Sequence, residues 1–125
     1  MAYLGDGNAT NDASATTIAA TLSPSVTAGS LLVVAVSWDN SGGQTLSSVT
    51  DSAGNSYALL TRIDNGADTQ CLQLAYAANA NAGATTVTAT FSAAAGYRRI
   101  VAGQWSGVAT SVPIDGHVGQ AITTA

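Results

Sequence analysis

The chain contains neither Lys nor Glu anywhere in its 125 residues. Both residues are common on the solvent-facing side of helices, so their absence argues against surface helices. The charged side chains are seven Asp and three Arg, and most of the Asp lie beside Gly, Asn or Ser. Such neighbours are typical of turns. The sequence therefore predicts a fold of strands joined by turns.

Runs of β-branched and apolar residues lie between these turn signals. Leu31–Trp38 is nearly all apolar, as in a central strand covered on both faces. Thr85–Ser92 instead alternates between Thr and apolar residues. The other predicted strands are Thr16–Leu22, Thr45–Thr50, Tyr57–Ile63, Gln70–Ala77, Tyr97–Ser106 and a short last one at Gly119–Thr123, with Ala9–Ala15 partly loose. This pattern predicts an all-β fold, a two-sheet antiparallel β-sandwich of jelly-roll or immunoglobulin-like type with about eight strands.

Length and charge limit the classes of protein. Residues 1–125 fit a single domain. A net charge of −4 disfavours nucleic acid, because three Arg cannot form a basic groove. No apolar run is long enough for a membrane span. No signal peptide is visible at Met1. We expect an extracellular module excised from a larger secreted protein, and the signal of a secreted protein would then lie outside this sequence.

An enzyme or a metal site finds little support in the sequence. The Asp residues lie mostly in turns, and His117, two residues after Asp115, has no Gly-x-Ser-x-Gly motif to accompany it. Cys71 is the only cysteine, which excludes an internal disulfide and favours a small packed thiol. We expect no cofactor, although Asp and Asn in Gly-rich loops suit calcium at Asp64/Asp68 or at Asp6.

Sugar binding is the third class of function. A flat aromatic side chain covers the apolar face of a pyranose, and planar amides, carboxylates or Arg bind its hydroxyls. Trp105 shares a strand face with Gly103 and Arg99, and Trp38 ends an apolar strand directly before Asp39. A core position and a ligand-binding surface are equal alternatives for each Trp, whereas a core position is favoured for Tyr76. No ligand role is predicted for Phe91, Tyr57 or Arg98, and we expect Arg98 to be solvated. The candidate ligand residues are Trp105, Trp38, Tyr76, Gln73, Gln104, Arg99, Asp39 and Asn40.

Three segments suggest a family. They are Val49–Tyr57, Leu74–Asn79 and Ile100–Val108 with Pro113–Asp115. Over about residues 16–115 the chain resembles β-sandwich modules of bacterial extracellular proteins, and most of all carbohydrate-binding module family 81, which is found attached to an endoglucanase. The resemblance implies a planar site for β-1,4-linked glucans lying along the strands.

The candidate ligand residues and the family resemblance favour the same function. We expect a non-catalytic module that adsorbs linear β-1,4-linked glucans, such as cellulose, mixed-linked glucan or xyloglucan, on a flat sheet face. Its partners are then the β-glucan and a covalently attached glycoside hydrolase domain, which the module targets to polysaccharide; neither nucleic acid nor membrane is expected. The alternative is a structural spacer or adhesin-like module of a bacterial or phage surface protein, since one fold serves many functions. A spacer would bury both Trp residues.

Overall fold

A computed structural model describes residues 1–65 and 69–119, and within them the chain forms nine β-strands. The strands are β1 (Ala2–Asn11), β2 (Ala15–Thr21), β3 (Leu31–Asp39), β4 (Leu46–Asp51), β5 (Ala58–Leu59), β6 (Ile63–Asp64), β7 (Gln70–Ala77), β8 (Thr86–Ala95) and β9 (Arg98–Ser106). These residues contain no helix, and so none long and apolar enough to cross a membrane. The prediction of an all-β fold is confirmed.

The strands form two antiparallel sheets. The larger has the order β1-β9-β3-β7-β5, with β6 also paired to β7, and the smaller has the order β2-β8-β4. The predicted two-sheet antiparallel sandwich is therefore confirmed. Of the predicted strands, Tyr57–Ile63 is replaced by the two short strands β5 and β6. Gly119 belongs to no strand, and 120–123 lie outside the described residues.

The core lies between the two sheets and is built from alternate residues of each strand. On β3 the inward residues Leu32, Val34, Val36 and Trp38 are each at most 1% exposed, which fits a strand in the middle of the larger sheet. The smaller sheet contributes Ile18, Ala20, Leu46, Val49, Val87, Ala89 and Phe91. Strand alternation thus sends every second side chain of both sheets into one apolar layer.

Strand β1 was not predicted, and its inward residues show why. They are Gly5, Gly7 and Ala9, on the same side as the buried residues of β9 with which they pair. A β-carbon at Gly7 would overlap the Thr21 carbonyl oxygen, so β1 approaches β2 more closely than any larger residue allows. A strand with glycine on its buried face has no hydrophobic alternation to detect.

Arg98 is a second departure from expectation. It was expected to be solvated, but it is 3% exposed on the inward face of β9. Its guanidinium donates hydrogen bonds to the carbonyl oxygens of Thr17 and Ala13, at the N-terminal side of β2. Carbonyl acceptors at the end of the sandwich therefore replace water around this charge.

The loop after β4 is organised by Asp51. Its carboxylate accepts hydrogen bonds from the Ala53 and Asn55 backbone N–H groups at 2.9 and 3.1 Å, from Asn55 Nδ2 at 2.8 Å and from the Tyr57 hydroxyl at 2.8 Å. Burial alone would raise the pKa of Asp51, but these hydrogen bonds outweigh it and lower the pKa. Tyr57 packs against the core, as predicted.

We expect this carboxylate to make stability depend on acid pH. A carboxyl whose folded pKa is depressed stabilises the fold above its unfolded pKa of about 4, and that contribution is lost as pH falls through the lower folded pKa. Asp51→Asn should reduce the free energy of unfolding at pH 7 by about 1–3 kcal/mol, because donors in the loop lose their acceptor. The substitution should also make the free energy of unfolding decline less steeply as pH falls from about 5 to about 2. Urea unfolding at several pH values measures both, and the exposed Asp115→Asn is the control that should change neither. An unaltered pH profile in Asp51→Asn would contradict the assignment.

Candidate functional site

The surface of interest is the outer face of the larger sheet, on the side opposite the core. Register places residues of four strands on it. They include Tyr3, Asp6 and Asn8 from β1; Arg99, Val101, Gly103 and Trp105 from β9; Val33 and Ala35 from β3; and Leu72, Leu74 and Tyr76 from β7. The face is therefore apolar in its middle and polar along β1. Its composition suits a ligand that has both apolar and hydroxylated surfaces.

Trp105 forms a flat surface on this face. A β-carbon at Gly103 would lie 2.6 Å from Cη2 of the Trp105 ring, so the ring lies directly over this glycine. Glycine is the residue that permits such close contact between an indole and the backbone. Trp105 is half-buried, and one side of its ring is occupied by the strand beneath it.

Tyr3 and Asp6 complete the surroundings of this indole. The Tyr3 ring centroid lies 5.9 Å from that of Trp105, with the two planes at 59°, and Tyr3 is 57% exposed. The Tyr3 hydroxyl donates a hydrogen bond to Oδ2 of Asp6, and this bond raises the pKa of Tyr3. Asp6 is paired with Gly103 in the β1–β9 register. An acidic acceptor is thus fixed beside the Trp105 ring.

Tyr76 and Arg99 also lie on the outer face, as their roles in the predicted site require. Tyr76 is half-buried and is paired with Val33. The Arg99 guanidinium forms an ion pair with Asp12 at 2.6 Å and donates to the Arg98 carbonyl oxygen at 2.9 Å. Its orientation is therefore fixed towards β1. Neither observation tests ligand contact, so both roles remain predictions.

Two predicted ligand residues are buried, and their assignment is wrong. Trp38 is 0% exposed, packs against Phe91 at a centroid distance of 5.2 Å and donates from Nε1 to the Gln44 carbonyl oxygen at 3.0 Å. Gln104 is also 0% exposed; its Nε2 donates to the Pro24 carbonyl oxygen at 2.8 Å. Both point into the sandwich because their strands place them on the inward side, where Gln104 holds the loop before β3.

The remaining predicted residues lie away from Trp105. Gln73 is half-buried, and its Nε2 donates to the Leu60 carbonyl oxygen at 2.8 Å. Asp39 and Asn40 lie at the far end of β3 from Leu31, which pairs with Trp105, so roughly 26 Å of strand separates them. Hydrogen bonds donated by the Ser41 N–H and the Thr69 hydroxyl lower the pKa of Asp39. The structure therefore does not bring these three residues into one site with Trp105.

The candidate calcium residues are engaged with other groups. Asp64 forms an ion pair with Arg62 at 2.7 Å, Asp6 accepts from Tyr3, and Asp68 lies outside the described residues. In residues 1–65 and 69–119 no group of three or more His, Cys, Asp or Glu could hold a metal ion.

Cys71 and His117 lie on opposite sides of the larger sheet. Cys71 is buried, and burial raises the pKa of its thiol to about 12, so the thiolate is scarce at neutral pH. His117 is exposed and lines a shallow apolar groove with Leu60, Ile63, Leu72 and Leu74, where Gly119 comes close to Ile63. The C-terminal segment therefore reaches the outer face at its β6–β7 edge.

The sequence predicts no sugar contact for Tyr3 or Asp6, although both adjoin Trp105. A spacing of three residues places two side chains on opposite faces of a regular strand, so the sequence pattern gives no signal for this pair. The bulge between Tyr3 and Gly5 places both side chains on one face.

Comparison with protein-family models, with curated proteins and with solved structures found no match.

Proposed function

We propose that this domain is a non-catalytic carbohydrate-binding module that adsorbs linear β-1,4-linked glucans on the outer face of the larger sheet. The observation that carries the proposal is the half-exposed Trp105 ring lying flat over Gly103. Stacking of a sugar ring on this indole supplies most of the affinity, because both surfaces are flat and apolar. This use of an exposed indole is also what separates a binding module from a spacer.

The neighbours of Trp105 provide the polar half of the interaction. Asp6 is held by Tyr3, and its second carboxylate oxygen accepts no hydrogen bond from the described part of the chain. A fixed carboxylate beside the ring suits the equatorial hydroxyls at the rim of a glucose residue. Asn8, two residues further along β1, adds amide groups on the same face. These polar groups contribute more to the orientation of the sugar than to the affinity.

The biological role follows from tethering. In this proposal the module is extracellular, belongs with carbohydrate-binding module family 81, and is covalently linked to a glycoside hydrolase. Adsorption holds that enzyme close to insoluble glucan at a high effective concentration. The domain itself performs no bond cleavage.

Affinity electrophoresis tests the proposal directly. Cellulose derivatives, mixed-linked glucan and xyloglucan cast into native gels should retard the domain, whereas an α-linked glucan should not. Bovine serum albumin run alongside controls for sieving by the polymer. Equal mobility in every gel would overturn the proposal and favour the structural spacer or adhesin-like module.

A further inference from the structure

One row of paired residues across the outer face brings the Trp105 ring and the Tyr76 side chain onto a common line. Gly103, which the Trp105 ring covers, is paired with Val33 of β3, and Val33 is paired with Tyr76 of β7. Neighbouring strands are about 4.8 Å apart, so the two aromatic positions are about 10 Å apart. Val33, which has a small apolar side chain, is the residue between the two aromatic positions. The row therefore joins two aromatic surfaces across the strands.

The direction along the strands offers no such pair. On β9 the next residue of the outer face after Gly103 is Val101, which is 51% exposed, followed by Arg99 in its ion pair with Asp12. Between Trp105 and the start of β9 at Arg98 no other aromatic residue occurs. The next exposed aromatic residue in this direction is Tyr97, which directly precedes β9 and lies roughly 26 Å along the strand from Trp105. A short glucan lying along β9 would therefore stack on a single ring.

We propose, resting on the glucan-binding function above, that the polysaccharide crosses the strands and stacks alternate sugar residues on Trp105 and Tyr76. Successive residues of a β-1,4-linked glucan are turned by half a turn, so every second residue presents the same face. Two residues of the extended chain span nearly the distance between the two aromatic positions. Asp6 is paired with Gly103 and so ends this row, where it meets the hydroxyls of the sugar on Trp105.

This arrangement sets the class of ligand. Contact with both rings requires at least three consecutive sugars in a straight chain. A β-1,3-linked glucan curves and does not hold alternate residues on one line, so it reaches only one of the two rings. The site is thus selective for extended β-1,4-linked segments of three or more residues, in an orientation perpendicular to the one that the family resemblance implied.

Titration calorimetry with cellobiose, cellotriose and cellotetraose tests the direction. The wild-type domain should bind the two longer sugars about tenfold more tightly than cellobiose, as expected for one added stacking contact. Tyr76→Ala should abolish this gain while keeping the affinity for cellobiose, and Tyr76→Phe, which retains the ring, should keep the gain.

Two outcomes separate the inference from the function on which it rests. If no oligosaccharide or glucan binds the wild type, the proposed function fails. If the wild type binds but Tyr76→Ala keeps the full gain with length, the glucan does not cross the strands and only this inference is overturned. Melting temperatures of all variants, measured alongside, show that loss of binding is not loss of folding.

Discussion

Trp38→Ala is expected to lower the free energy of unfolding by about 3–5 kcal/mol. The indole is 0% exposed, contacts Phe91 across the core and donates its only N–H to the Gln44 carbonyl oxygen. Alanine would leave a large cavity between the sheets and an unpaired carbonyl in the loop before β4. Since small domains are stable by about 5–15 kcal/mol, this is a large part of the total.

Trp38→Phe is the matched control for this loss. Phenylalanine fills much of the same volume but lacks the N–H, so we expect a smaller destabilisation that reports mainly the bond to Gln44. Urea unfolding followed by circular dichroism measures both variants. A destabilisation below about 1 kcal/mol for Trp38→Ala would fall outside the range for buried aromatics and contradict a core position.

Trp105→Ala should have the opposite profile, with weakened glucan binding and a nearly unchanged fold. Loss of one stacking surface costs about 1–3 kcal/mol, by analogy with nucleobases stacked on aromatic side chains, which is roughly ten- to a hundredfold in affinity. The ring lies on the outside of the sheet, over Gly103 and beside the exposed Tyr3, so its removal opens no cavity in the core.

The control for this variant is Trp105→Phe, which keeps a smaller flat ring on the same strand position. It should bind glucan with an affinity between those of the wild type and Trp105→Ala. Retardation in polysaccharide gels and thermal melting should be scored on the same preparations. Trp105→Ala that melts early and binds normally would show that the ring is structural.

The two Trp residues show that the sequence pattern predicts strands but not which face of a strand is buried. The run Leu31–Trp38 is apolar at both alternating positions, so it predicts a central strand but not which side of that strand faces the core. On β9 the buried side includes Arg98 and Gln104, whose polarity suggested a solvated face. Their hydrogen bonds to backbone carbonyls of β2 and its flanking loops stabilise them in the interior, and those contacts arise only from the tertiary fold.

Strand β1 explains the rest of what was missed at the site. The other strands were located by β-branched or apolar runs, and all but the split Tyr57–Ile63 were found within a few residues. Because Gly5 and Gly7 face the core, β1 has no apolar stripe, and Tyr3 and Asp6 had no predicted face on which to meet Trp105. Register between distant segments, which brings residue 3 opposite residue 105, is not encoded in local pattern.

Contact between sugar and Trp105 can be observed through the indole N–H signals in a ¹H–¹⁵N NMR spectrum. The chain has two Trp residues and therefore two such signals, and the spectrum of Trp105→Ala identifies which is which. Titration with cellotetraose should move the Trp105 signal progressively to saturation and leave the signal of the buried Trp38 in place. If neither signal moves at millimolar sugar, or if only that of Trp38 does, the outer face around Trp105 is not a glucan-binding site.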